Sequence, residues 1–151
     1  MAKDSSSSLP ILIDLAKDNA DKASKVLQQL TAERNNAESQ LSALQVYRQD
    51  YAERLQKATE SGLSASNYHN FRQFIATLDE AISQQNKIVA QINGKLEDGR
   101  QHWYAEKRRL NSYEALQTRQ TRQRLARENR AEQLAADEMS AAMYRRLRPA
   151  H

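Results

Sequence analysis

The sequence predicts an all-α fold, two long helices folded back on one another as an antiparallel coiled-coil hairpin. Three observations carry this. Only five of the 151 residues are Gly or Pro, about a quarter of the ordinary share. Ala (22), Leu (16) and Gln (15) are abundant, and all are strong helix formers. Apolar residues recur at alternating steps of three and four through two long stretches, the spacing of a coiled-coil seam. A sandwich, a barrel or a doubly wound sheet needs a turn about every ten residues, and five turn formers cannot supply them. The hydrophobic fraction of 39% and mean hydropathy of −0.89 favour thin packing between two helices over a thick central core.

The polar stretch through Ser8 predicts a disordered lead over 1–8. Ser8 then offers an N-cap, and Pro10 falls in the first turn, where its missing N–H costs nothing. Helix one is accordingly predicted over 9–60. Its seam runs Ile13, Ala16, Ala20, Ala23, Leu27, Leu30, Arg34, Ala37, Leu41, Leu44, Arg48, Tyr51, Leu55 and Ala58, interrupted only by the two arginines. A turn is predicted over 61–67, with Gly62 in the left-handed position and Ser64 or Ser66 capping the next helix.

Helix two is predicted over 68–147. Its seam runs Phe71, Ile75, Leu78, Ile82, Gln85, Val89, Ile92, Leu96, Gly99, Trp103, Glu106, Leu110 and Tyr113. Two apolar stretches of about fifty residues, roughly 75 Å each, joined by so short a connection, bury their stripes by packing antiparallel. The whole chain, 1–151, is therefore read as a single elongated hairpin. Gly94 and Gly99 each cost about 1 kcal/mol in a helix interior relative to Ala, which marks a bend or a close helix approach. Beyond Tyr113 the seam positions fall on Gln117, Gln120, Arg124 and Arg127. From about residue 114 helix two thus loses its partner face and continues as a basic extension, with Pro149 at its end.

Residues 1–99 carry 11 basic and 13 acidic side chains, residues 100–151 carry 12 and 6, so the net charge of +4 belongs to the C-terminal third. The absence of Cys excludes a disulfide framework and a thiolate metal site, and permits a reducing compartment. The apolar run Leu9 to Ile13 is too short for a signal-peptide core or a membrane span, so a soluble cytoplasmic protein is expected. His69, His102 and His151 are far apart in sequence, and no Gly-rich phosphate loop or paired-carboxylate motif exists. His102 and Glu106 share a helix face without further ligand candidates nearby. No enzyme, metal or cofactor is expected.

Two surfaces stand out. Gln40, Leu44, Tyr47 and Tyr51 form a stripe at steps of four, three and four, and Phe74, Leu78, Ala81 and Gln85 repeat those steps on helix two. At similar distances from the turn, the stripes come level in an antiparallel hairpin. Spacing alone leaves two readings open, a composite patch for a partner or the edge of a broad seam. The second surface is the run Arg119, Arg122, Arg124, Arg127 and Arg130, followed by Arg145, Arg146 and Arg148. Its steps spread the charges around the helix. That suits an acidic protein cavity or ring, nucleic acid or anionic lipid, or simply a solvated charged helix. Nucleic acid is disfavoured by the lack of a known module and of interleaved aromatics, and lipid by the lack of an opposing apolar face.

Several segments together resemble the FliJ family of the bacterial flagellar type III export apparatus. They are Leu12 to Ala16 (LIDLA), the Gln40-Leu41, Leu44, Tyr47, Tyr51 spacing, and Asn70 to Ile82 (NFRQFIATLDEAI). Trp103 to Gln120 (WYAEKRRLNSYEALQTRQ) and Leu125 to Arg130 (LARENR) complete the set. The resemblance covers nearly the whole chain and rests on the order of these segments, none of which is a catalytic signature. It implies a two-helix coiled coil like the central stalk of rotary ATPases, which binds the hexameric export ATPase ring and promotes its assembly and activity. It also implies contact with the cytoplasmic domain of the transmembrane export gate, escort of export chaperones, and a peripheral place on the cytoplasmic side of the membrane at the flagellar base. By position, the gate-facing residues are Gln40, Leu44, Tyr47, Tyr51, Phe74, Leu78, Ala81 and Gln85. The ATPase-facing end combines Leu12 and Leu15 with Arg119, Gln120, Arg122, Arg124, Arg127 and Arg130. The competing readings are a structural coiled-coil scaffold or homo-oligomer, and a basic nucleic-acid-binding helix.

Overall fold

The computed structural model describes the backbone of residues 2–148 and the side chains of residues 8–148. It contains two helices, α1 over Ala2–Glu60 (59 residues) and α2 over Ala65–Leu147 (83 residues). The stop expected at Pro149 lies outside the described residues.

Helix α1 begins at Ala2 rather than Leu9, so residues 2–8 of the expected disordered lead are helical, residue 1 lies outside the described residues, and Pro10 sits inside the helix. A proline in a helix removes one i→i−4 donor, while its fixed φ of about −65° is itself helical. The interruption therefore does not end the helix, and Ser8 occupies an interior position instead of the cap.

The turn is shorter than the sequence suggested, because Ser64 caps α2 and Ser66 falls in its first turn. The Asn67 N–H donates to Ser64 Oγ at 3.2 Å, and the Tyr68 N–H donates to the Ser64 carbonyl at 2.9 Å. At the other end of the turn Gly62 takes φ +88°, and its N–H donates to the Thr59 carbonyl at 3.2 Å. That left-handed conformation is nearly free for glycine and strained for other residues.

Contacts divide the chain into two units, residues 19–106 and residues 1–18 with 107–151. Within the 19–106 unit the pairing is antiparallel. Tyr51 meets Phe71 and Tyr47 meets Phe74, Gln85 reaches Ala37, and Gly99 lies against Leu27 and Leu30. Every seam position named above, from Ile13 to Ala58 and from Phe71 to Tyr113, is buried or half-buried. The core is a narrow strip, with no described side chain below 2% exposure.

The two interior glycines differ. A Cβ on Gly99 would lie 3.3 Å from Leu27 Cδ2 and 3.4 Å from Leu30 Cδ1, whereas one on Gly94 would meet nothing within 4 Å. Gly99 thus marks a close approach of the helices, and Gly94 carries only its entropic cost. Gly94→Ala is expected to raise stability by about 0.4–1 kcal/mol in urea unfolding. Gly99→Leu is expected to lower it by about 1–3 kcal/mol through overpacking. Equal gains at both positions would contradict the close approach.

Candidate functional site

The composite patch forms on the 19–106 unit because the antiparallel seam brings the stripes of α1 and α2 level. Tyr47 and Phe74 lie edge to face with centroids 6.0 Å apart, Tyr51 and Phe74 are tilted at 4.4 Å, and Tyr51 meets Phe71 at 5.3 Å. Such pairings favour tilted or T-shaped geometry because of the ring quadrupole. Tyr47 remains 51% exposed and Phe74 37%, while Leu44, Tyr51 and Ala81 are half-buried and Gln40 is exposed.

Leu78 and Gln85, at 6% and 9% exposure, lie within the helix pair because both occupy seam positions. The structure therefore presents Tyr47, Phe74 and Gln40 to solvent, over a floor of Leu44, Tyr51 and Ala81. Gln85 supports this surface from beneath. Its Nε2 donates to the Ala37 carbonyl at 2.9 Å and to Gln40 Oε1 at 3.3 Å.

Sequence reasoning missed the ion pair between Arg48 and Asp79. Arg48 Nε donates to Asp79 Oδ1, and Nη2 donates to Oδ2 at 3.4 Å. An arginine at a seam position calls for an acidic partner across the pair, and that was the available signal. The hydrogen bond from Arg48 holds the Asp79 carboxyl below its ordinary pKa, and the same bond raises that of Arg48. A carboxyl depressed in the folded state stabilises above its unfolded pKa and ceases to do so as pH falls through the lowered value. The contribution is thus whole above about pH 4 and fades below it. It is small, because the pair is exposed. The thermal midpoint is expected to fall slightly less on acidification in Asp79→Asn than in the parent chain, and identical acid profiles would contradict the pairing.

The basic end lies within the unit formed by 1–18 and 107–151. Here Leu9, Ile13, Ala16 and Leu110 are buried, and Tyr113 continues the seam half-buried. Gln120 is half-buried, and every described residue from Thr121 to Arg148 is exposed. Arg119, Arg122, Arg124, Arg127 and Arg130 therefore stand in solvent on helix, as do Leu12 at 38% and Leu15 at 55% exposure. Glu128 is the one acidic residue among these arginines, and its Oε1 lies 3.9 Å from Arg124 Nε.

An open groove beside the Gly99 contact is lined by Ser24, Leu27, Gln28, Thr31 and Trp103, none of which offers a titratable group to a ligand. Among the described residues no cluster of three His, Cys, Asp or Glu could hold a metal. None of the described helices is long and apolar enough to cross a membrane.

The family model described as "Flagellar FliJ protein" matches residues 5–148. The flagellar FliJ protein of Salmonella typhi is 33% identical over 132 residues, covering 87% of this chain and 90% of that protein. Its Escherichia coli K12 counterpart is 32% identical with the same coverage. Among solved structures, the type III secretion protein YscO from Vibrio parahaemolyticus aligns with a TM-score of 0.53 and 23% identity over 93% of this chain and 95% of that one. That likeness concerns the fold.

Proposed function

This chain belongs to the FliJ family, a component of flagellar protein export, and we propose that it serves there as a stalk-like subunit of the export ATPase ring. In this reading it promotes ring assembly and activity through its basic end, contacts the cytoplasmic domain of the export gate through its aromatic patch, and escorts export chaperones. It works at the cytoplasmic side of the membrane, held there through its partners.

The observation that carries the reading is the arginine-bearing stretch of α2. Its side chains are exposed from Thr121 to Arg148, and its charges surround the helix rather than forming one face. A single helix, about 10–12 Å across with its side chains, is narrow enough to enter a ring's central hole. Charges on all sides can engage acidic groups there without one fixed bidentate geometry. The aromatic patch supports a second contact, since exposed aromatics over a packed floor are the usual anchors of protein interfaces.

Co-purification with the export ATPase and, separately, with the gate's cytoplasmic domain tests both contacts. The parent chain should retain both partners. Loss of the ATPase is expected on charge reversal in the arginine run, and loss of the gate domain on truncation of the patch. Retention of both partners by both variants would overturn the assignment.

A further inference from the structure

We propose that Gln85 is a positioning residue that fixes the register of α2 against α1 and so assembles the two-helix aromatic patch. Its consequence for gate binding rests on the reading above, whereas the register itself does not.

A seam built from apolar residues at heptad spacing tolerates sliding by one heptad, because every apolar position then meets another. A single buried polar residue removes that degeneracy when only one register offers it a partner. Gln85 has such a partner in the observed register. Its amide reaches the Ala37 carbonyl at 2.9 Å, and Ala37 is 5% exposed, a small side chain that leaves its backbone within reach. One heptad to either side of Ala37 stand Leu30 and Leu44, whose larger side chains would hold the glutamine amide away from the backbone. In a slipped register the Gln85 amide would be buried without that acceptor.

A second contact opposes the same slips without forbidding them, since the atoms it meets are the ends of flexible leucine side chains. A Cβ at Gly99 would already sit 3.3 Å from Leu27 Cδ2, and sliding α2 by a heptad would bring Ile92 or Glu106 to that place. Either would force the leucine side chains aside, a cost that adds to the loss of the Gln85 bond. The turn and the exposed Arg48–Asp79 pair set register near the turn, and Gln85 and Gly99 add to it at successive points further along.

What the register controls is visible at the patch. Phe74 meets Tyr47 at 6.0 Å and Tyr51 at 4.4 Å. One heptad away, the place of Tyr47 is taken by Gln40 or Arg54, and the cluster disperses. The bond from Gln85 to Gln40 Oε1 at 3.3 Å ties the register contact directly to an exposed patch residue.

The chain has no cysteine, so spin labels can be placed on Ser39→Cys and Asn93→Cys, both exposed positions of the 19–106 unit. These sites are offset along the helix pair, and a one-heptad slip moves one label past the other by about 10 Å. In the full-length parent a single distance distribution is expected. In Gln85→Leu, which exchanges a buried polar residue for an apolar one of similar size, helicity by circular dichroism is expected to be retained and a second, shifted distance to appear. Gln85→Met, which fills the seam without donating, should behave the same way and covers the case in which Leu packs poorly. One unshifted distribution in the folded variants would overturn the proposal. Gate-domain affinity should then fall in proportion to the fraction left in the parent register. If Tyr47→Ala with Phe74→Ala leaves gate binding intact while Gln85→Leu shifts the distance, the patch reading fails and the register role stands.

Discussion

Reversing two charges, as Arg124→Glu with Arg127→Glu, is expected to reduce stimulation of the export ATPase by about tenfold or more, equivalent to about 1.4 kcal/mol, with helicity unchanged. Neither residue supports the fold. Both lie in the exposed stretch beyond Gln120, and the only ion pair described there, Arg124 with Glu128 at 3.9 Å, is a surface i,i+4 contact worth little. Against acidic groups lining a ring the same charges matter more. Enclosure lowers the effective dielectric, hydrogen bonds to charged groups contribute about 1.5–3 kcal/mol each, and reversal adds repulsion to their loss. Stimulation by the parent chain should also decline with added salt, as the Debye length shrinks from about 10 Å at 0.1 M to about 3 Å at 1 M. The checks are steady-state ATP hydrolysis against concentration of this chain and circular dichroism of the variant. A helical variant that stimulates as well as the parent would remove the arginine run from the ring contact.

The seam was legible because burial in a two-helix pair depends on one periodicity. Even its polar members, Arg34, Arg48, Gln85 and Glu106, occupy the positions that spacing assigned, and all are buried or half-buried. The turn was legible from Gly62 and Ser64, whose chemistry is local. The start of α1 was not, because Ser8 before Pro10 has the pattern of a cap, while a continuous helix forfeits only one donor at the proline. The patch was legible as a pair of stripes, yet its division into surface and floor depends on how far each helix is rotated about its axis. Spacing cannot supply that rotation, and so Leu78 and Gln85, at 6% and 9% exposure, shared a stripe with the exposed Tyr47. The Gln85 bond to a backbone carbonyl was illegible for another reason. It depends on Ala37 being small at the one level where the glutamine crosses, a relation between two helices rather than within either.

Truncating the patch, as Tyr47→Ala with Phe74→Ala, is expected to weaken binding of the gate's cytoplasmic domain by about thirtyfold or more. This is the scale of losing one interface anchor at about 2 kcal/mol. The magnitude follows from what the rings have left to bury. Tyr47 is 51% and Phe74 37% exposed, so each retains aromatic surface that a partner can cover, while their contacts with Tyr51 at 6.0 Å and 4.4 Å hold them in place before binding. That pre-organisation reduces the side-chain entropy lost on association. The cost to the fold should be modest, since a partly exposed aromatic pair contributes about 0.5–1.5 kcal/mol beyond its area. Leu78→Ala provides the contrast. At 6% exposure this residue belongs to the seam, and its truncation should cost about 2–5 kcal/mol of stability while leaving the affinity of the remaining folded molecules largely unchanged. Calorimetric titration with the gate domain, paired with thermal unfolding, separates the two effects. If the aromatic variant melts as early as Leu78→Ala yet binds the gate domain normally below its midpoint, Tyr47 and Phe74 belong to the edge of a broad seam. The gate contact must then be sought on another face.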